Sequence, residues 1–242
     1  MTSDTRAREQ YGIDAPTVVR ALGIGGIALI AADIVAARIA AAAPLAPMLL
    51  GAGLGMMAGA AWMLASSLWL KKIVMRRLLG ERSWRGDEIV LDVGSGRGLV
   101  AIAAARRAPA GKVHALDIWQ ERDLSGNSPA MLLANGRAAG VAGRLAVDTG
   151  DARQMPYPDA MFDVVASMTA LHNIPDAAGR AAAVAEIWRV VKPGGQVLIF
   201  DIRHARAYAA QLRALGAAEV RLRGPILLWG PIGWRFSATK AP

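Results

Sequence analysis

Residues 89–98 read Ile-Val-Leu-Asp-Val-Gly-Ser-Gly-Arg-Gly, an apolar strand that runs into three alternating glycines. Glycine adopts positive φ without strain and lets the backbone come close to a bound group. We expect a helix from about Leu99, whose free amide groups would face an anionic or electron-rich ligand. The spacing G-x-G-x-G differs from the G-x-G-x-x-G of dinucleotide sites, and no G-K-[ST] follows to hold a triphosphate. The stretch therefore predicts a strand, a ligand-binding turn and a helix in series.

The composition indicates a membrane-embedded part beside one globular domain. The chain has 242 residues, of which 54% are hydrophobic, and its mean hydropathy of +0.32 is too high for an ordinary soluble enzyme. The absence of cysteine excludes disulfides, thiolate nucleophiles and cysteine zinc sites, and the three histidines argue against a multi-histidine metal site. We therefore predict no bound metal. The net charge of +9 suits nucleic acid or anionic lipid, and the positions of the charges decide between them.

Two apolar runs near the N-terminus predict a transmembrane helical hairpin. The first, Ala21 to Ala43, is interrupted by Asp33 and Arg38, whereas the second, Pro47 to Leu70, carries no charge. As a helix the second run would span about 36 Å, more than the roughly 30 Å of hydrocarbon core. The residues that flank the hairpin include Arg6, Arg8, Arg20, Lys71, Lys72, Arg76 and Arg77. By the positive-inside tendency, they predict a protein of the cell membrane with two spans and a cytoplasmic catalytic domain.

Small and charged residues within the hairpin leave two questions open. Gly51, Gly55 and Gly59 recur every four residues and make one helix face smooth. That face would either form a homodimer or pack against the first helix, and we favour packing within the chain. Asp33 would lie near mid-membrane, where a carboxylate is costly. Either it has a polar partner there, or the first helix lies shallow enough to bring it to the interface.

Between Leu68 and Trp84, apolar residues alternate at helical spacing with Lys71, Lys72, Arg76 and Arg77. The pattern predicts a basic amphipathic helix over residues 71–86 that lies on anionic headgroups, with Trp69 and Trp84 as anchors. The other interpretation is the cytoplasmic end of the second span with its flanking charges. Both interpretations place the next domain at the membrane surface.

After residue 86, strand and helix patterns alternate, which predicts an α/β, Rossmann-like, doubly wound sheet. The expected strands are Ile89–Val93, Val113–Ile118, Leu145–Thr149, Phe162–Ser167 and Gln196–Asp201. The expected helices are Leu99–Arg107, Ser128–Ala139, Ala177–Val191 and Ala207–Leu215, followed by short strands near Val220–Arg223 and Arg235–Thr239. The tail from Pro225 to Trp234 is apolar but broken by Gly and Pro. It would dip into the membrane interface, form a wall of the substrate pocket, or connect the last strands within the core.

The carboxyl ends of the predicted strands carry the candidate site residues, because ligands of open parallel sheets lie beyond those ends. The second strand ends in Asp117, about 20 residues after the glycine turn, where an acid can accept the ribose hydroxyls of a nucleoside. The third ends in Gly150-Asp151-Ala152, where an acid beside a small residue can pair with an adenine amino group. The fourth leads into residues 167–176, and the fifth follows the turn at residues 192–195.

Residues 86–201 resemble the class I S-adenosylmethionine-dependent methyltransferases, and specifically the group that includes the ubiquinone and menaquinone biosynthesis enzymes. The matching segments are Val90–Gly98, Asp117, Gly150–Ala152, Phe162–Val165, Leu171–Asp176 and Lys192–Gly195. The resemblance implies a mostly parallel sheet with an antiparallel last strand, and S-adenosylmethionine as cofactor. It also implies a cofactor-binding set of Asp92, Gly94, Ser95, Gly96, Gly98, Asp117, Ile118, Trp119, Asp151, Ala152 and Met168. In this set Asp92 would position the ammonium group, Asp117 would bind ribose, and Asp151 with Ala152 would bind adenine.

The chain departs from the family pattern after Asp117, where the ten residues 118–127, here called the insert, precede the next helix. Asn127 or Ser128 can cap that delayed helix. Trp119 would either stack near adenine or pack against the insert. An acidic, polar loop in this place could form part of a lid over the cofactor.

Methyl transfer from a sulfonium is an in-line displacement, which depends on holding nucleophile and methyl group in line. A base is needed only where the acceptor must lose a proton. His172 is the candidate catalytic residue, because its reference pKa is about 6.5 and it follows the fourth strand, where the acceptor would enter. Its other role would be to shape the loop. Asp201, Arg203 and His204 would orient a polar acceptor head or are solvated.

The sequence thus predicts an N-terminal segment with the hairpin (residues 1–70), a basic linker helix (71–86) and a methyltransferase domain (87–242). We expect methylation of a hydrophobic small molecule, such as a quinone, isoprenoid or lipid. The alternatives are a soluble or protein acceptor, with the hairpin used only for placement, and a non-catalytic cofactor-binding membrane module. The expected partners are membrane lipids, bound through the hairpin and the basic helix. Nucleic acid is not expected, because the basic charges gather beside the apolar hairpin.

Overall fold

A computed structural model describes residues 9–227 and 232–242 of the chain. Its helices are α1 (Pro16–Ala36), α2 (Ala46–Ala65), α3 (Lys71–Leu79), α4 (Leu99–Arg107), α5 (Pro129–Ala138), α6 (Ala177–Val190) and α7 (Ala205–Ala214). Its strands are β1 (Ile89–Val93), β2 (Lys112–Asp117), β3 (Leu145–Thr149), β4 (Phe162–Met168), β5 (Val191–Asp201), β6 (Ala217–Leu227) and β7 (Ile232–Lys240). A π-helical turn, Ser66–Leu70, joins α2 to α3, so one helix runs without a break from Ala46 to Leu79.

Within the described residues the strands form one seven-stranded sheet in the order β3-β2-β1-β4-β5-β7-β6. Strands β1 to β5 pair in parallel, and β7 runs antiparallel to both β5 and β6. Helices α3 and α4 cover one face of the sheet and α6 and α7 the other, which explains why the central strands read as continuous apolar runs. The expected Rossmann-like sheet with an antiparallel last strand is confirmed.

The last two strands are longer than the sequence predicts. Pro225 and its neighbours are typical of a break, yet β6 continues through them, because a register shift between Arg223 and Ile226 absorbs the proline. Residues 225–227 and 232–234 of the apolar tail are therefore strand residues, and residues 228–231 lie outside the described part of the chain.

Helices α1 and α2 form the expected antiparallel hairpin, and both are long and apolar enough to cross a membrane. Their outer surfaces carry exposed apolar side chains, among them Ile24 (70% exposed) and Met48 (72% exposed). The helices approach most closely at Gly26 and Gly53, where a Cβ on either glycine would come within about 3.0 Å of the other's carbonyl oxygen. Most of the apolar surface of the hairpin therefore faces outward.

The interpretation that Gly51, Gly55 and Gly59 pack against the first helix is wrong for the first two. A Cβ on Gly51 or Gly55 would meet nothing within 4 Å, and one on Gly59 would reach only Leu22, at 3.7 Å. Because the close contact uses Gly53 instead, the stripe lies on the open side of the hairpin. A homodimer through that stripe stays a prediction.

Asp33 lies in the last turn of α1, three residues before the helix ends at Ala36. An acidic side chain at the end of a 21-residue span lies near the interface rather than at mid-membrane. The position favours the shallow interpretation. Arg6 and Arg8, which contributed to the predicted orientation, lie outside the described residues.

The prediction of an interfacial helix at residues 71–86 is wrong about its apolar face. Val74, Leu78 and Leu79 of α3 are buried in the core that α3 shares with α4 and β5. Trp84 also packs on this core and donates its indole N–H to the carbonyl of Leu79 at 2.8 Å. An amphipathic pattern reveals that a helix has an apolar neighbour but not which neighbour it is, and here the neighbour is the sheet domain.

Residues 9–15, here called the N-terminal strap, pair with the insert and also contact Ser67 and Lys71, which follow α2. Asp14 and Leu124 form an isolated β-bridge, and the amide of Ala15 donates to the carbonyl of Asp123 at 3.1 Å. The strap thus brings the start of α1 to the carboxyl edge of the sheet.

Candidate active site

The glycine turn after β1 adopts the conformation that its sequence predicts. Gly94, Gly96 and Gly98 have φ values of 73°, 53° and 86°, in the left-handed region that favours glycine. A Cβ on Gly94 would lie 2.1 Å from the Cβ of Ala170, so no other residue fits there. Gly94 and Gly96 line the cavity beside the turn, whereas a Cβ on Gly98 would point at Leu132, in the core.

Asp92 is a buried acid directly beneath this turn. Its Oδ2 accepts a hydrogen bond from the amide of Ala101 in the first turn of α4, at 2.9 Å. Its Oδ1 is buried and has no partner in the described structure, and Asp92 lines the cavity. Burial raises the pKa of Asp92 to about 7. A cation bound beside Oδ1 would favour the ionised carboxylate of Asp92 and lower this pKa again.

Asp117, at the end of β2, holds the turn as well as facing the cavity. Its Oδ2 accepts from the amide of Gly96 at 2.7 Å, and its Oδ1 accepts from the amide of Trp119 at 2.6 Å. Asn127 of the insert donates to the same Oδ1 at 3.3 Å. A carboxylate can accept about four hydrogen bonds, so this well-fixed acid keeps capacity for a hydroxyl group.

The two residues after Asp117 point in different directions. Ile118 is 53% exposed and lines the cavity. Trp119 has a φ of 60° and turns away from the cavity, packs against the core and donates its indole N–H to Thr149 Oγ1 at 2.8 Å. Among the described residues, Ile118 therefore lines the cavity and Trp119 does not.

The ends of β3 and β4 complete the sheet side of the cavity. Asp151 is paired with Arg153 through contacts of 2.6 to 3.0 Å, and the hydrogen bonds from Arg153 hold the pKa of Asp151 below its usual range. Ala152 and Met168 line the same cavity. Asp92, Asp117, Asp151 and the glycine turn are thus brought to one surface.

His172 and Asp201 form a buried dyad at the edge of the cavity. The distance between His172 Nδ1 and Asp201 Oδ1 is 2.6 Å, and Asp201 also accepts from the amides of His172 (3.1 Å) and Ile202 (2.7 Å). Because the carboxylate accepts, Nδ1 carries the proton, and Nε2 remains an acceptor. The prediction that Asp201 orients an acceptor or is solvated is wrong: its side chain is 1% exposed and orients His172. Arg203 lines the cavity.

One wall of the cavity was not predicted from the sequence. Tyr11 and Asp14 of the strap, Val18 of α1, Met63 of α2 and Lys71 of α3 all line it. A local pattern identifies Lys71 only as a charge that follows an apolar run, whereas in the structure the strap pairs with the insert and brings these residues to the cavity. The one signal available was the insert itself, since ten additional residues beside a cofactor acid require a partner.

The whole cavity has a volume of about 820 Å³. Its lining on the sheet side includes the glycine turn with Asp92 and Asp117. Its lining on the hairpin side includes Val18, Met63 and Lys71, here called the root of the hairpin. In the described part of the chain, no group of three or more His, Asp or Glu side chains could hold a metal ion.

Comparison with known proteins identifies the sheet domain. Residues 91–199 match the family model described as a methyltransferase domain. The chain is 36% identical over 127 residues to a 27-O-demethylrifamycin SV methyltransferase of Amycolatopsis mediterranei, covering 52% of this chain and 42% of that protein. It is 34% identical over 113 residues to a demethylmenaquinone methyltransferase of Deinococcus radiodurans, covering 46% and 42%. The chain thus spans less than half the length of these two relatives.

Solved structures share the fold at low sequence identity. A S-adenosylmethionine-dependent methyltransferase from Aquifex aeolicus superposes with a TM-score of 0.53 at 19% identity, over 68% of this chain and 88% of that one. The [4+2]-cyclase SpnF superposes with a TM-score of 0.56 at 21% identity, over 70% and 80%. Since one of these two is named as a cyclase, the likeness establishes the fold and not the reaction.

Proposed function

The chain carries a class I S-adenosylmethionine-dependent methyltransferase domain, and from that premise we propose that it methylates a hydrophobic acceptor held at a membrane. One observation carries the proposal. The cavity that begins at the glycine turn ends at Val18 and Met63, which belong to the two apolar helices of the hairpin. An acceptor dissolved in the bilayer would reach this end without crossing water.

The residues present fit the cofactor. A Cβ on Gly94 would clash with Ala170, so the turn keeps a bare backbone beside the cavity. Asp92 lines the same cavity, and its buried Oδ1 has no partner among the described residues. Asp92 would hold the ammonium group of the methionine part, Asp117 the ribose, and Ile118 with Ala152 the adenine. When bound, S-adenosylmethionine supplies a methyl group on a positively charged sulfur.

The His172–Asp201 dyad supports proton removal from the acceptor. Asp201 fixes the ring so that the proton is on Nδ1 and Nε2 can accept one. Removal of the proton from a hydroxyl or an activated carbon of the acceptor raises its nucleophilicity as the methyl bond forms. The remaining contribution of the chain is to hold the acceptor in line and to exclude water.

The membrane attachment rests on the hairpin. In a soluble protein such helices would be buried, whereas in this chain only 11% of the most apolar 18-residue stretch of α1 is buried. Lys72, Arg76 and Arg77 lie just beyond the second span, which supports a cytoplasmic active site. Acceptors of the quinone or isoprenoid class fit this placement, and one of the two relatives described above is named a demethylmenaquinone methyltransferase.

The test is a methyl-transfer assay with the full chain in nanodiscs, S-adenosylmethionine and extracts of cells that lack the protein. We expect S-adenosylhomocysteine to form, and a species in the lipid extract to gain the mass of one methylene unit. Product formation only with the aqueous extract would favour a soluble acceptor. Binding of the cofactor without turnover in any extract would favour the non-catalytic module and overturn the proposal.

A further inference from the structure

We infer that the root of the membrane hairpin completes the cofactor site, with Lys71 as a positioning residue that holds the N-terminal strap and the insert against Asp117. The inference rests on the proposed function in one respect, that the cavity binds S-adenosylmethionine or its product. It assigns a role to the insert and makes cofactor binding and hairpin docking depend on each other.

Lys71 is the fixed point of this arrangement. Its ammonium group donates to the carbonyl oxygens of Tyr11 and Gly12, both at 2.9 Å, and lies 3.3 Å from Asp14 Oδ2. Its side chain is only 6% exposed. Ser67, one helical turn earlier, accepts from the amide of Asp14 at 3.0 Å and donates to its carboxylate at 3.1 Å. A buried cation with all its donors used fixes the strap strongly.

The strap is in turn joined to the insert by hydrogen bonds. The amide of Ile13 donates to Ser125 Oγ at 2.9 Å, and the amide of Ser125 donates back to the carbonyl of Ile13 at 3.2 Å. With the Asp14–Leu124 bridge, this pairing makes the strap and the insert one two-stranded ribbon. On the hairpin side the ribbon continues directly into α1. Side chains that follow α2 also contact it: Ser67 and Lys71 through hydrogen bonds, and Lys72 over the ring of Tyr11, 5.8 Å from its centre.

The ribbon also contacts the cofactor side of the site. Asn127 of the insert donates to Asp117, and a Cβ on Gly96 would come within 2.8 Å of Leu124 Cδ2. Arg97 of the glycine turn donates to the carbonyl of Ser125 at 3.1 Å. The contacts from Lys71 to Asp117 are therefore continuous, through strap and insert.

Thermodynamic linkage makes the coupling reciprocal. If an ordered ribbon favours cofactor binding, then bound cofactor must order the ribbon by the same free energy. Loss of the contacts of Lys71 should weaken cofactor binding although Lys71 lies in the helix that continues the second span. Bound ligand should likewise slow hydrogen exchange in the strap.

The first experiment compares Lys71→Met with Arg82→Met, each in the full chain in nanodiscs. Arg82 forms a similarly buried ion pair with Glu88, at 3.2 Å, before β1, so the two variants lose the same kind of contact. With S-adenosylhomocysteine as probe, we expect calorimetry to give a Kd about tenfold higher for Lys71→Met. We expect no more than about a twofold change for Arg82→Met. Equal affinity of Lys71→Met and wild type would overturn the inference while the proposed function stands.

The second experiment covers the case in which Lys71→Met does not fold, because that change leaves Asp14 as an unpaired buried charge. The double variant Lys71→Met, Asp14→Asn removes both charges, and Ser125→Ala removes one strap contact. Hydrogen exchange at the amides of Ile13 and Ala15 is measured with and without S-adenosylhomocysteine. We expect the ligand to protect these amides in wild type and much less in either variant. Ligand-independent exchange in wild type overturns the inference, and a wild type that does not bind the probe overturns the proposed function with it.

Discussion

The two ends of the cavity are built in different ways. On the sheet side, Asp92, Asp117 and Asp151 come from the ends of consecutive parallel strands, and the backbone of the sheet brings them together. On the hairpin side, Asp14 and Lys71 are 57 residues apart. They are brought together by the antiparallel packing of α1 on α2 and by the contacts of Ser67 and Lys71 with the strap. The positions of the acids on the sheet side therefore follow from the fold, whereas those on the hairpin side depend on particular side chains of this protein.

The largest effect is expected at the dyad, on the sheet side. His172→Gln should lower turnover about 10²- to 10⁴-fold, because the acceptor loses its base. Asp201→Asn should lower it less, since it disturbs the ring position but leaves the ring. Methyl-transfer kinetics and S-adenosylhomocysteine calorimetry measure the two steps separately. Unchanged turnover in His172→Gln would assign the dyad to shaping the loop.

The next effect is expected on cofactor affinity. Asp117→Asn should weaken binding of S-adenosylhomocysteine about 100-fold, because hydrogen bonds to a charged acceptor are worth about 1.5 to 3 kcal/mol each and the ribose offers two hydroxyls. The matched control is Asp148→Asn on the neighbouring strand, where the carboxylate accepts from Tyr157 at 2.9 Å. Equal losses in both variants would mean that a general fold defect, rather than ribose binding, explains the result.

The pH dependence of binding should distinguish Asp92 from its neighbours. Because burial raises the pKa of Asp92 to about 7, the empty site holds a proton below that pH and must lose it when the cofactor's ammonium group binds. We expect the affinity to fall by up to about tenfold per pH unit below pH 7 and to level off above it. Calorimetry between about pH 5 and pH 8 measures this slope. Asp92→Asn should flatten it, and an identical slope in that variant would exclude Asp92 as the group responsible.

The same shift makes a prediction about stability. Asp92 binds its proton more tightly in the folded protein than in the unfolded one, so its contribution is fully present at low pH. That contribution is lost as the pH rises through about 7. The Asp92→Asn variant has no carboxyl group to titrate at this position. Its melting temperature, measured relative to that of wild type, should therefore rise between about pH 5 and pH 8.

The smallest effect on the active site is expected within the hairpin. Gly53→Ala should destabilise the hairpin by about 1 to 3 kcal/mol, because its Cβ would lie 2.8 Å from Ile30 and 2.9 Å from the backbone of Gly26. Gly51→Ala should be neutral, because nothing lies within 4 Å. Thermal unfolding in detergent measures both. A change in oligomer size caused by Gly51→Ala alone would instead assign the open stripe to a contact between copies.

Local sequence signals predicted the sheet domain closely. The bounds of β1, β3 and α4 are those expected, because the glycine turn and the strand ends are encoded within a few residues. The apolar face of α3 was assigned to the wrong neighbour, since a helical pattern does not identify what covers it. Strand β6 was predicted too short, since a register shift that accommodates Pro225 has no local signature.

Only the sheet side of the candidate site could be predicted from the sequence. Residues at strand ends could be ordered from their spacing, but the burial of Asp201 against His172 depends on how the following loop turns. Trp119 lies two residues after Asp117 and nevertheless points away from the cavity, because its backbone adopts positive φ. The position of Lys71 is typical of a charge that follows an apolar run, and nothing in that pattern shows that its ammonium group is buried against the residues that precede the first helix.

The unbroken helix from Ala46 to Leu79 has a consequence for evolution of the chain. Each residue inserted into it would move the catalytic domain about 1.5 Å along the axis and rotate it by about 100° relative to the span. We therefore expect insertions or deletions between Ser67 and Lys71 to be tolerated only when they add or remove close to a whole number of helical turns. A flexible linker would have allowed any length, whereas this continuous helix sets the rotation of the hairpin relative to the sheet domain.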